Sequence, residues 1–170
     1  MLIRIAATII LLLAASGATA QQEAAERVAT FNDWSVYVAE TNNGTVCFAV
    51  SQPQNTDPTG VDRGGIYFML SNWPQGDIRN EASIFMGYPL EAESTVSVTI
   101  DNDESFTFLT RDDGAWLSDL GQDNDLIVAI QRGLEMVVRG RSQRGTNTTD
   151  TYSLRGATAA INGAIQECGG

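Results

Sequence analysis

Only two cysteines occur in the 170-residue chain, Cys47 in its first third and Cys168 two positions before its end. Cys168 closes the segment DTYSLRGATAAINGAIQEC. In it Ala157, Ala160, Ile161, Ala164, Ile165 and Cys168 recur at i, i+3, i+4, i+7, i+8 and i+11. That spacing is one face of an α-helix, so the second thiol lies on the apolar stripe. Cys47 lies in TVCFAVS, where Val46, Phe48 and Val50 point one way and Thr45, Cys47 and Ala49 the other, the alternation of a β-strand. A bond between the two thiols therefore docks a terminal helix beside an early strand. Closing so long a loop contributes about 4–5 kcal/mol in the chain-entropy model. The pair is read as a staple, not as a nucleophile.

Pairing requires an oxidising compartment, and the N-terminus supplies a route to one. The chain opens MLIRIAATIILLLAASGATAQQ. Arg4 and the free amine form a positive n-region, Ile5 to Ala15 a short apolar run, and Ala18-Thr19-Ala20 a signal-peptidase site before Gln21. The run is shorter than the roughly 20 apolar residues of a membrane span. No cysteine follows it, so lipoprotein processing is not supported. The expectation is a signal peptide at 1–20 and a single domain at 21–170, long enough to bury one core.

Between the thiols the chain reads as strands. DWSVYVAE places Trp34, Val36 and Val38 on one face. GGIYFMLSNWP is a continuous apolar run ended by Pro74, and EASIFMGYPL follows. STVSVTID turns Val96, Val98 and Ile100 inward, and SFTFLTRD does the same with Phe106 and Phe108. The intervening IDNDESF reads as a hairpin turn. LEMVVRGRS and TTDTYSL come later. Short alternating strands with regular turn signals predict an all-β sandwich or barrel. One further helix is predicted in GQDNDLIVAIQRG, capped by Asp123 or Asn124, with Leu126, Ile127 and Ile130 inward and Gly133 as its stop. SQPQNTDPTGVDRGG, Ser51 to Gly65, is the one long polar loop, either a binding loop or a surface connection.

Composition mostly excludes chemistry. The chain has no His and no Lys, which removes Ser-His, Cys-His, Ser-Lys and Schiff-base mechanisms and makes a zinc site improbable. No G-x-S-x-G, P-loop or dinucleotide motif is present. All ten basic residues are Arg against 21 acids, and the net charge is −11. Loss of Arg4 with the leader makes it more negative still. Such a domain repels nucleic acid and anionic lipid, and acidity also favours solubility. No catalytic residue, cofactor or metal site is assigned.

Three weaker features have two readings each. Asp101, Asp103 and Glu104, and likewise Asp123 and Asp125, are acids close enough to suggest calcium, but they serve equally as a turn and a helix start. Arg139, Arg141 and Arg144 form a local basic stripe, the first two on one strand face. They either grip a phosphate or carboxylate, as a possible binding surface, or balance acids on neighbouring strands. Trp73, Tyr88 and Trp116 make either a sugar-stacking platform or core.

The ordered series FNDWSVYV, CFAVSQP, NEASIFMGYPL, VSVTID, DLIVAIQRG, MVVRGRSQRGT and DTYSLRGATAAI resembles the invasion-associated locus B (IalB) family of alphaproteobacterial exported proteins. The resemblance spans nearly all of residues 21–170 and rests on Asp33-Trp34, Cys47, Gly133, and Tyr152-Ser153-Leu154 with Gly156. It implies an immunoglobulin-like β-sandwich, here with two short helices and the C-terminal one packed on the sheet. It also implies a periplasmic, outer-membrane-associated or secreted location and, in pathogenic members, a link to host-cell invasion. Many members carry a Cys where this chain has Val38, and a mid-chain Cys pair that is missing here. The disulfide framework must differ, with Cys47–Cys168 in its place. The expected function is a noncatalytic envelope or secreted protein that contacts an unknown protein or surface ligand. The alternative is a carbohydrate-binding module or minor glycoside hydrolase on the same sandwich.

Overall fold

The computed structural model describes residues 24–169; the expected leader at 1–20 lies outside the described residues. Eleven strands follow in chain order: β1 (Glu26–Phe31), β2 (Trp34–Thr41), β3 (Gly44–Ser51), β4 (Asn55–Asp57), β5 (Tyr67–Trp73), β6 (Ile78–Phe85), β7 (Thr95–Ile100), β8 (Glu104–Arg111), β9 (Gly114–Leu117), β10 (Glu135–Arg141) and β11 (Asn147–Ser153). Helix α1 (Asp123–Arg132) separates β9 from β10, and α2 (Ala157–Glu167) follows β11. The strands form one antiparallel sheet in the order β1-β2-β3-β5-β6-β9-β8-β7-β10-β11-β4. The expected all-β, sandwich-like fold with two short helices is what forms.

The sheet folds over on itself. Phe68 on β5 meets Phe108 on β8 and Tyr152 on β11 edge-to-face, each at 6.4 Å between ring centroids. Trp34 on β2 packs against the same Phe68 at 6.1 Å. Strand β5 is far from β8 and β11 in sheet order, so contact of Phe68 with Phe108 and Tyr152 requires two facing layers. The four aromatics are fully buried and form the centre of the core. The indole N–H of Trp34 donates to the Ser153 carbonyl at 3.0 Å, joining the layers by a polar bond as well.

The inward alternation holds where it was expected. Val96, Val98 and Ile100 on β7 and Phe106 and Phe108 on β8 are buried. Between these strands Asp101 and Asn102 adopt left-handed φ of 49° and 60°, which short polar side chains tolerate. The Asp101 carboxylate then accepts from the backbone N–H groups of Leu134 and Glu135, at 3.0 and 2.9 Å. Its oxygens thus hold the hairpin turn to the start of β10. Among the described residues no group of three or more His, Cys, Asp or Glu is placed to hold a metal.

Helix α1 differs from its expected start. Asp123 is its first helical residue and not its cap, because the chain enters through a 3₁₀ turn at Leu120–Gln122. The capping carboxylate belongs to Asp119, which accepts from the Gly121 N–H at 2.9 Å. Leu126 and Ile130 are buried as expected, with Ile127 half-buried. Gly133 ends the helix, and no other residue fits there: a Cβ would lie 2.5 Å from the Ile100 side chain.

Helix α2 packs on the sheet through the expected stripe. Ala157, Ala160, Ile161 and Ala164 are buried, Ile165 packs against the core edge, and Cys168 is bonded to Cys47. The small alanines let the helix axis approach β1, β2 and β3 closely. Ile161 supplies the one bulky aliphatic group that is almost wholly buried there, worth about 1.5–3 kcal/mol of transfer free energy. Gly156 starts the helix at φ +93°, and a side chain there would run into the Phe31 carbonyl. Only glycine satisfies both demands.

Candidate functional site

The long polar loop between β3 and β5 is more ordered than a bare connection requires. Its Asn55–Asp57 segment pairs with β11 as strand β4, and further along it delivers Arg63 to the interior. The Arg63 guanidinium grips the Asp150 carboxylate with two parallel bonds, Nη1 to Oδ1 and Nη2 to Oδ2, both 2.7 Å. Its Nε and Nη2 also donate to the Met86 carbonyl at 3.1 and 2.7 Å. The side chains are 6% and 0% exposed. A pair so buried survives only with good geometry and further hydrogen bonds, and this one has both.

Around the pair lie two tyrosines. The Arg63 guanidinium sits 4.9 Å from the Tyr88 ring centroid, a cation–π contact. The Tyr88 hydroxyl shares a 2.5 Å hydrogen bond with the Thr148 hydroxyl. Burial pushes the Tyr88 phenol above its ordinary pKa, against the Thr148 bond and the Arg63 charge, which lower it. Tyr152 is pushed up further by burial and by the Asp150 charge. Its hydroxyl is buried without a hydrogen-bond partner among the described residues.

Above the pair opens a cavity of about 390 Å³ framed by three loops. The β4–β5 loop contributes Pro58, Val61, Asp62 and Arg63; the β6–β7 loop Gly87, Tyr88 and Pro89; the β10–β11 hairpin Ser142, Gln143, Arg144 and Thr146. Thr148 completes the lining. The volume is that of a small-molecule site with apolar walls and a few polar groups. Both oxygens of Asp150 are taken by Arg63, and the tyrosines hold their protons through the neutral range. The arrangement can hold a ligand, and its two buried charges are engaged by each other.

The basic stripe divides. Arg139 and Arg141 are exposed on the outer face of β10, and Arg141 is bound by Glu91 at 3.0 Å. Only Arg144, in the hairpin loop, lines the cavity. Arg63 was not singled out from the sequence, although one signal pointed to it. Asp150 has the same strand parity as Thr148 and Tyr152, which are inward and buried, and a carboxylate at an inward position demands a cationic partner.

The aromatic trio divides too. Tyr88 lines this cavity, whereas Trp116 lines another of about 670 Å³ with Asp77, Glu81 and Asp123. There burial and Asp119 raise the Asp123 pKa. The Trp116 ring lies over Gly114, where a Cβ would come within 2.6 Å of it, and the Arg111 guanidinium sits 4.9 Å from its centroid. Trp73 donates its indole N–H to Glu81 at 3.2 Å. Each indole is engaged by a neighbouring side chain, and Tyr88 and Trp116 line separate cavities.

A family model described as Invasion associated locus B (IalB) protein matches residues 34–164. The chain belongs to the IalB family. Neither a curated protein nor a solved structure matches it. The matched span begins at Trp34 and ends at Ala164 on α2. It therefore contains the buried ion pair, the three cavity loops and Cys47, and stops four positions before Cys168. Val38, where the resemblance leads one to expect a cysteine, lies directly opposite Cys47 on the neighbouring strand. Cys47 of this IalB protein instead reaches across to α2. Among the described residues no helix is long and apolar enough to cross a membrane.

Proposed function

We propose that this IalB protein is an exported, noncatalytic protein of the periplasm, outer membrane or medium that contacts a surface ligand or protein, and that the three-loop cavity is a ligand-binding site on it. Export is supported by the leader motif, which only an exported chain needs, and by the Cys47–Cys168 bond, which persists in oxidising compartments. The observation that carries binding over catalysis is the closed state of the buried charges. Arg63 and Asp150 satisfy each other, so neither buried charge is free to move a proton. An acidic chain of net charge −11 has nucleic acid as an unfavourable partner.

One preparation tests both parts. Cells expressing the full chain are fractionated, and the protein is sequenced from its N-terminus and then incubated with neutral and acidic oligosaccharides. Recovery outside the cytoplasm, with Gln21 first and the sugars intact, is the expected result. A cytoplasmic protein retaining Met1 overturns export. Cleaved oligosaccharide overturns the noncatalytic reading and favours a glycoside hydrolase, whose carboxylates would then be sought in the Trp116 cavity.

A further inference from the structure

The charges lining the three-loop cavity fall into two kinds. Arg63 is buried, and Asp150 beneath the lining neutralises it. Asp62 and Arg144 are exposed, of opposite sign, and carried by different loops. Among the described residues neither makes an ion pair, with the other or with any third group. The space between them is not closed by a salt bridge, and each retains its full hydrogen-bonding capacity. A ligand carrying one negative and one positive group satisfies both; a simple anion meets Arg144 but faces Asp62.

Three further features narrow the class. Val61, 48% exposed at the loop tip, joins Pro58, Pro89 and the Tyr88 ring as apolar wall, which suits a hydrocarbon or aromatic side chain. The volume of about 390 Å³ is near the lower end for ligand pockets, matching one or two residues and not a long polymer. The whole chain carries −11, a field that disfavours approach of anions but leaves a molecule of zero net charge unopposed.

We infer that the cavity binds a small zwitterion, a free α-amino acid or dipeptide with an apolar side chain. Its carboxylate lies on Arg144, its ammonium on Asp62 and its side chain against Val61, Pro89 and Tyr88. This inference rests on the reading of the cavity as a binding site and adds the chemistry of its ligand.

The test is calorimetric titration of the oxidised protein, residues 21–170, with leucine, phenylalanine and leucyl-leucine. Controls are N-acetyl-leucine, which lacks the ammonium, leucine amide, which lacks the carboxylate, and glucuronate as an anionic sugar. The zwitterions are expected to bind, and both blocked leucines to bind at least about tenfold more weakly, since each loses one ionic contact. Arg144→Gln and Asp62→Asn are each expected to weaken leucine about tenfold, with the melting temperature of the unliganded protein unchanged, because both side chains are exposed. Heat from N-acetyl-leucine equal to that from leucine overturns the role of Asp62 and with it the zwitterion. Absence of binding by all three zwitterions at about 10 mM, weaker than a millimolar dissociation constant, also overturns it. Binding of glucuronate alone overturns the ligand class while leaving the binding-protein reading intact; that reading fails separately, by cytoplasmic recovery or sugar cleavage.

Discussion

Two tethers hold the late part of this chain to its early part, and they are built from opposite chemistry. Cys168 at the end of α2 is bonded to Cys47 on β3, with apolar alanines and Ile161 along the same helix face. Asp150 on β11 is held by Arg63 from the polar β4–β5 loop, with almost no exposed surface on either side chain. The first tether stabilises by restricting the unfolded chain and by burying hydrocarbon. The second offsets its own desolvation, and its worth shows mainly when one partner is lost. One end of the molecule is thus held by what it excludes from water, the other by a balance that must stay complete.

The sharpest way to break the first tether is reduction, or the Cys47→Ala/Cys168→Ala pair. Either is expected to cost about 4–5 kcal/mol in urea unfolding, from the entropy of a loop this long. A loss under about 1 kcal/mol would mean that the α2 stripe alone docks the helix.

Breaking the second tether on one side is expected to cost nearly as much. Asp150→Ala leaves a buried guanidinium without its counter-ion, a loss of about 3–5 kcal/mol. The comparison predicts a different outcome when both partners go. Arg63→Met/Asp150→Leu is expected to fall within about 1–2 kcal/mol of the parent, because apolar groups of similar size need no partner. If the double substitution is as damaging as Asp150→Ala, the pair is holding the loop in a way that packing cannot replace. Circular dichroism melts of the three proteins separate these outcomes.

The two tethers also differed in how far the sequence revealed them. The α2 stripe repeats with helical period, and the Cys47 strand alternates; both patterns are local, so both faces and their meeting could be inferred from neighbouring residues. Strands β2, β7 and β8 were legible for the same reason. Arg63 was not, since nothing in TGVDRGG distinguishes an arginine that turns inward from one in water. Its partner is 87 positions away, and only the inward parity of Asp150 recorded the need for it. The cavity was invisible for a related reason. It forms where three loops converge, and loop placement follows from the layers packing, not from any periodicity of the loops themselves. Arg144 was found as one of a stripe, but the hairpin turns it away from Arg139 and Arg141.

Tyr152 sharpens the comparison from inside the second region. Its hydroxyl is buried with no partner, so the polar balance there is not perfect. Tyr152→Phe removes an unsatisfied group without opening a cavity and is expected to stabilise by about 1 kcal/mol. The phenol pKa is raised by burial first and then by the Asp150 charge, and that of Tyr88 is raised mainly by burial. A raised folded-state value means that the unfolded chain releases these protons first. Stability from both groups is therefore full below about pH 10 and falls as pH rises beyond it. Tyr152→Phe should make that alkaline decline shallower in urea unfolding measured from pH 9 to 11. An unchanged slope would show that Tyr152 ionises alike in both states.

The smallest effect isolates burial from chemistry. Arg141–Glu91 joins the same two functional groups as Arg63–Asp150, at 3.0 Å, but its side chains are 48% and 46% exposed. Water already solvates each partner there, so removing one leaves no charge stranded. Arg141→Ala is expected to change stability by no more than about 0.5–1 kcal/mol, and the change should fade in about 1 M salt, where the screening length is roughly 3 Å. The Asp150→Ala penalty should hardly respond to salt, because ions do not reach the buried pair. If Arg141→Ala costs as much as Asp150→Ala, the contrast between exposed and enclosed pairs fails, and the arginine on β10 holds the β10–β11 hairpin in place as Arg63 holds the loop.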